Sequence, residues 1–401
     1  MATPLQFQRY HALDALRAAM MLLGLVLHSA ASYTARPLGA AWPYHDAQTS
    51  PWFDLVVFFI HLFRMPVFFM VAGFFGALLF YRDGPGSMAR NRLRRVLAPL
   101  ALAWVVLYPL TAAGFVFALG RGGAAGAPGW GYMTSGTFLM RPNLIHLWFL
   151  YDLLLLYAAA LAAWPLLRRM PDGLRGGVAA TFSRLVTSAW GPLAWSAATA
   201  LTLMPMSIAG LDTSTSFTPP LRILIAYGVF FAFGWLLYAR RDLIESFGRR
   251  WRWYLLPGAV FSGVYLATLL QPPFEDAAPS HIAGVATASV AIWLLIFGIT
   301  GLFVHHCTRP SPLMRYLADA SYWMYLVHLP LTIWIPGLLA GVALPALVKF
   351  STVLSVTVCV TLLTYYAFVR STAVGALLNG RRYPRALPRS EVSPLPPQVA
   401  V

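Results

Sequence analysis

Three ionisable side chains recur at helical spacing near the start of the chain: Asp14, Arg17 and His28. Asp14 and Arg17 are three residues apart, and the eleven steps from Arg17 to His28 turn a helix through about 1100 degrees, nearly whole turns. All three therefore share one stripe, with His28 roughly 16 Å along the axis from Arg17. A neutral imidazole so placed can take the proton of an acceptor hydroxyl, because imidazole titrates near neutral pH. The bland alternative is a histidine satisfied by a neighbouring helix. The company His28 keeps argues against it.

That company comes from later apolar segments. Asp54 and His61 are seven apart on one helical face, and Arg64 lies one turn further on, near the middle of its segment. A guanidinium at mid-bilayer needs a carboxylate, a polar cavity or an anionic ligand, and Asp54 and Asp14 are the candidate structural partners. Ser321, Tyr325 and His328 follow one face at i, i+4 and i+7. His146, Trp148 and Asp152 open another segment, where Trp148 reads as an aromatic anchor at the membrane interface. In the run Arg90-Asn91-Arg92-Leu93-Arg94-Arg95, Arg92 and Arg95 point the same way and suit a phosphate group; a topology or lipid-headgroup determinant is the alternative.

The elements that must position these groups are transmembrane helices. The chain is 59% hydrophobic and 10% charged, with mean hydropathy +0.66, which a soluble fold of 401 residues could not bury. Ten apolar runs of spanning length are expected near 13–33, 52–81, 96–119, 143–167, 188–208, 221–239, 253–270, 281–304, 316–338 and 343–369. The expected fold class is thus an all-α polytopic membrane protein.

A formal net charge of +16 suggests a nucleic-acid binder until the arginines are placed. They gather in every second connection, from Arg9 through Arg82, Arg168, Arg240 and Arg309 to Arg370 and beyond, whereas the opposite connections hold only Arg36, Arg121 and Arg141. The positive-inside rule puts both termini in the cytoplasm and leaves no role for nucleic acid. A signal peptide is rejected because Asp14 and Arg17 interrupt an overlong first run. Cys307 and Cys359 imply no disulfide framework, and His305-His306-Cys307 reads as a loop, so no metal site is expected. The glycine spacing Gly120, Gly122, Ala125 matches a dinucleotide fingerprint by chance, since it joins two spanning helices. Residues 1–370 form one membrane domain, and 371–401 read as a disordered Arg/Pro-rich cytoplasmic tail that can touch anionic lipid.

Four stretches, in order, resemble the acyltransferase family 3 of integral membrane enzymes. They are Leu13-Asp14-Ala15-Leu16-Arg17 through to His28; Phe59-Ile60-His61-Leu62-Phe63-Arg64-Met65-Pro66; His146-Leu147-Trp148-Phe149-Leu150; and Ser321-Tyr322-Trp323-Met324-Tyr325-Leu326-Val327-His328. The Arg17-to-His28 spacing is the most specific mark, and Arg92 to Arg95 matches the family's cytoplasmic Arg-x-x-Arg. The resemblance implies a bacterial inner-membrane O-acyltransferase with no permanently bound cofactor. Its co-substrate would be cytoplasmic acyl-CoA, with succinyl-CoA favoured and acetyl-CoA the other choice. Its acceptor would be a hydroxyl of a periplasmic glucan or other envelope glycan.

On that resemblance His28 is the essential histidine and a general base, supported by Asp14 and Arg17, while Arg92 and Arg95 grip CoA phosphates. His61, His146, Tyr325 and His328 join the substrate-binding set, and Arg64 is assigned, on chemical grounds alone, to the thioester or a succinyl carboxylate. The expected channel runs between the first, second and ninth helices, with its mouth at Arg92. One departure is Val71-Ala72-Gly73, where many relatives carry Ser before Gly. The fifth to eighth segments match in hydropathy alone. Transfer is expected to be direct, an acyl-Ser321 or acyl-Tyr325 intermediate staying open, as does a homo-oligomer. The rival reading is a transporter or flippase for an anionic or glycan-linked substrate, with Asp14, Arg64 and His328 as its pathway; a carrier has no evident need for an Arg-x-x-Arg phosphate clamp.

Overall fold

The computed structural model describes residues 10–123, 127–309 and 311–384. Arg9, Ala125, Arg385, Arg389 and the rest of the tail from 385 lie outside the described residues. Fourteen α-helices follow one another: α1 His11–Ala30, α2 Pro51–Asp83, α3 Pro85–Arg92, α4 Ala98–Arg121, α5 Gly131–Thr134, α6 Trp148–Leu167 and α7 Asp172–Thr187. Then come α8 Gly191–Leu203, α9 Leu221–Ala239, α10 Ile244–Leu270, α11 Ala277–His306, α12 Pro312–Leu338, α13 Ala346–Thr364 and α14 Ala373–Asn379. Among the described residues there is no strand, only one isolated bridge between Thr34 and Ser50.

Among the described residues, eight helical segments are long and apolar enough to cross a membrane. The expectation of about ten differs at two places. Residues 188–208 yield α8, whose 13 residues reach only about 20 Å. The preceding connection, expected to be a loop, is the 16-residue α7. α12 is 27 residues long, but Asp319, Ser321, Tyr325 and His328 lower its hydropathy. It packs among α1, α4 and α13, so its polar face meets protein.

Local chemistry sets the helix ends. Ser50 Oγ accepts from Trp52 N–H ahead of Pro51, and Ser311 Oγ accepts from Met314 N–H ahead of Pro312, each a polar cap followed by a proline that needs no donor. The Arg92-to-Arg95 motif straddles the junction of α3 with a π-helical turn, Leu93–Leu97, which leads into α4. α2 and α9 approach to backbone contact: a Cβ at Gly73 would strike the Phe231 carbonyl and one at Gly234 the Met70 carbonyl. An alanine at either would overpack the seam, at about 1–3 kcal/mol.

The start of the tail is structured. α14 packs against the Leu93–Leu97 turn and α12, the Tyr383 hydroxyl donates to Asp319 Oδ1 (2.8 Å), and Asn379 Nδ2 donates to the Asp319 carbonyl (3.0 Å). The boundary drawn at 370 therefore falls short. Leu378 and Gly375 are buried, and this small apolar contact was masked in sequence by the surrounding Arg and Pro.

Candidate active site

α1, α12 and the entrance to α6 bring three histidines together. His28 Nδ1 lies 2.8 Å from His328 Nε2, with the rings within 9° of coplanar and centroids 5.0 Å apart, as for two imidazoles meeting edge to edge through that bond. His328 Nδ1 lies 2.7 Å from the Tyr325 carbonyl and 3.2 Å from that of Met324. A carbonyl only accepts, so Nδ1 of His328 carries the hydrogen and its Nε2, with both rings neutral, accepts from His28 Nδ1–H. Nε2 of His28 is left with its lone pair free, the atom a general base uses.

Pro330 explains the third histidine. Having no N–H, it leaves the Leu326 carbonyl without its helical donor. His146 Nε2 supplies one, at 3.0 Å from both the Leu326 and Tyr325 carbonyls, and the Tyr325 hydroxyl returns a bond to the His146 carbonyl at 2.8 Å. The neighbouring Ile145, β-branched, sits at φ 47, a strained conformation held by Asn143 Oδ1 accepting from its N–H (2.8 Å). Trp42, from the 31–50 connection, lies over His28 with planes 13° apart and centroids 5.7 Å apart.

One turn inward of His28, α1 carries Gly24, and a Cβ there would occupy the place of Arg64 Nη1. Arg64 forms no ion pair among the described residues, and its Nε is buried without a hydrogen-bond partner. Tyr325 and Tyr227 lie within electrostatic reach of it. Further along, the Arg92 guanidinium lies 4.3 Å from the Tyr157 ring centroid with Nε again buried and unpartnered, and Tyr157 donates to the Ala72 carbonyl (3.0 Å). Arg17 approaches the same tyrosine, and Arg95 reaches Gly380 beside α14. The result is a file of cations between α1, α2 and α12, with α6 contributing Tyr157 and the turn before it contributing His146.

The expected site residues thus divide into two groups. His28, His146, Tyr325 and His328 assemble at one end; Arg17, Arg92 and Arg95 assemble at the other, with Arg64 between. His61 lines two adjoining cavities of about 360 and 280 Å3, beside Asp212 and Arg222 in one and Asp54 and Tyr265 in the other. Support of His28 by Asp14 and Arg17 is not a contact here. Asp14 pairs with Arg17 at 3.5 Å, remote along α1, and His328 holds His28 instead. Asp54 does not meet Arg64 either, but accepts from the N–H groups of Ala35 and Arg36. Trp148 is buried against Tyr227 rather than exposed as an aromatic anchor. Ser321 donates to the Ala318 carbonyl and Tyr325 to that of His146, so neither hydroxyl faces a base.

Sequence reasoning missed three groups: Trp42, Asp46 and Pro330. Pro330 was legible as a missing donor two residues after His328. Trp42 and Asp46 lie in a connection without periodicity.

A family model described as an acyltransferase domain matches residues 10–366. Glucans biosynthesis protein C of Escherichia coli, in strains SMS-3-5/SECEC, K12 and O157:H7, is 28% identical over 338 residues, covering 82% of this chain and 84% of the relative. No solved structure matches the chain.

Proposed function

The chain belongs to the acyltransferase family 3, a membrane acyltransferase, and from that premise we propose that it moves a succinyl group from cytoplasmic succinyl-CoA to a glycan hydroxyl across the bacterial inner membrane. The observation that carries this reading is Arg64: a guanidinium without a counter-ion among the described residues, packed against Gly24 one turn along α1 from His28 and in file with Arg17, Arg92 and Arg95. A buried cation left unpaired is prepared for an anionic guest. CoA brings phosphates for Arg92 and Arg95, and a dicarboxylic acyl group brings a carboxylate for Arg64. The acceptor is a glucan by likeness to the relatives' name.

His28 Nε2 takes the proton of the acceptor hydroxyl as its oxygen attacks the thioester carbonyl. The carbon–sulfur bond then breaks, and the proton passes from His28 to the departing sulfur, giving the ester and free CoA thiol. By accepting from His28 Nδ1–H, His328 leaves the lone pair on His28 Nε2 in the resting state, before the acceptor's proton arrives.

The reading is tested with purified protein in nanodiscs, periplasmic glucan and radiolabelled succinyl-CoA or acetyl-CoA. Wild type is expected to transfer succinyl in preference. Arg64→Gln should lose succinyl transfer by roughly 10- to 100-fold, the worth of one charge-assisted bond, and keep acetyl transfer within a few-fold. Equal losses for both donors would remove Arg64 from acyl recognition, and transfer of neither donor by wild type would sink the proposal.

A further inference from the structure

Asp46 and Lys349 form a buried ion pair that no part of the acyl-transfer reading uses. Lys349 Nζ lies 2.8 and 3.0 Å from the two carboxylate oxygens, and both side chains are 1% exposed. Asp46 is also the knot of the 31–50 connection. It accepts from the Tyr44 hydroxyl (3.1 Å) and the Gln48 N–H (2.8 Å), and its own N–H donates to the Ser32 carbonyl (2.9 Å). The Ser32 hydroxyl in turn accepts from the Trp42 indole at 2.9 Å. Phe115 meets the Trp42 ring edge to face at 5.5 Å, and Trp42 lies parallel to His28.

A buried ion pair is weak evidence for stability, because desolvation offsets most of its attraction; its better-attested use is to specify one arrangement. The arrangement specified here is a connection that has only two three-residue 3-10 turns and one isolated bridge to hold it, and that places an indole 5.7 Å from the imidazole of His28. That distance is within the range over which an indole face attracts a cation, so Trp42 favours the imidazolium that forms when His28 takes a proton, and it shields that face from water.

We infer that Trp42 is a positioning residue for His28, and that the buried Asp46–Lys349 pair is the clamp that keeps it in place from outside the reacting centre. The inference rests on the reading of His28 as general base. Lys349 reaches the clamp from α13, so a change remote from the histidines alters the rate of proton transfer through the 31–50 connection.

The test compares wild type with Trp42→Leu, Trp42→Phe, His28→Ala and the double variant Asp46→Leu/Lys349→Met in nanodiscs. The double variant replaces both charges with apolar groups and leaves no uncompensated charge, so folding is preserved where either single change could abolish it. Trp42→Leu and the double variant are expected to lower kcat about tenfold or more with KM for the CoA thioester unchanged, as displacement of a reacting group does, while Trp42→Phe retains most of the rate. If His28→Ala abolishes transfer and these variants keep wild-type kcat, the clamp inference is overturned while the general-base reading stands. If His28→Ala keeps full activity, that reading falls, and the inference with it.

A second readout needs no turnover. In protein labelled with 15N histidine, signals assigned to His28 by their loss in a His28→Asn variant should keep the tautomer set by His328 in every variant, and in the double variant should shift toward their positions in Trp42→Leu as the indole leaves the ring. Unchanged His28 signals in both variants would contradict the inference.

Discussion

The two ends of the cation file are built on opposite principles. Around His28, Nδ1 has a partner in His328, His328 has carbonyl acceptors, and the Tyr325 hydroxyl and His146 Nε2 exchange bonds across α12. His146 Nδ1 is left without a partner at that end; around Arg64 and Arg92 two guanidinium Nε atoms are buried without partners, and Arg64 has no ion pair among the described residues. Orienting donors and acceptors fixed in advance are what proton transfer demands, because no reorganisation is then needed at the moment of reaction. Unmet cations are what a large anionic substrate demands, because they gain their partners only when it binds.

The contrast can be broken first at its organised end. His28→Ala should lower kcat by about 10²- to 10⁴-fold, the usual worth of a general base, with CoA affinity by calorimetry unchanged. Loss of affinity instead would place His28 with the binding groups. Next, His328→Ala frees His28 Nδ1 and should reduce kcat on the order of 100-fold through misorientation, whereas His328→Gln, which still offers an acceptor, should recover part of it. An alanine variant with wild-type kcat would show that the ring pairing is incidental.

At the open end the effects are smaller and fall on binding. Arg92→Gln is expected to raise KM for the CoA thioester about tenfold with kcat nearly unchanged, an effect that shrinks as ionic strength rises. A fall in kcat at constant KM would move Arg92 out of the phosphate clamp. Smallest of all, Gly24→Ala pushes a methyl into the place of Arg64 Nη1 and should weaken succinyl-CoA binding a few-fold, with thermal stability falling by about 1 kcal/mol. Unchanged affinity would mean that Arg64 can swing away from α1 without consequence for the donor.

The fold class was legible because hydropathy over twenty residues is a strong signal. The stripe on α1 was legible because the helical period alone places Arg17 and His28 on one side. What the period does not reveal is which helices meet. The bond from His28 to His328 joins residues 300 positions apart, so the support for His28 was sought in Asp14 and Arg17, its neighbours along α1. Trp42 and Asp46 were invisible for a different reason: a connection has no period, and its shape depends on a lysine contributed by α13. The 188–208 segment misled because composition cannot separate a spanning helix from a 13-residue one followed by residues 204–220, a polar loop in which Ser207 bonds to Asp212.

The central claim, transfer from a CoA thioester on the arginine side to a hydroxyl on the histidine side, is tested most directly in sealed vesicles holding the protein in one orientation. Labelled succinyl-CoA is supplied only on the arginine side and glucan only on the other. The account predicts labelled ester on the glucan side and free CoA thiol left on the donor side, both absent with His28→Ala. Ester that forms only when donor and glucan share one side, or a wild type that consumes no thioester, would contradict it.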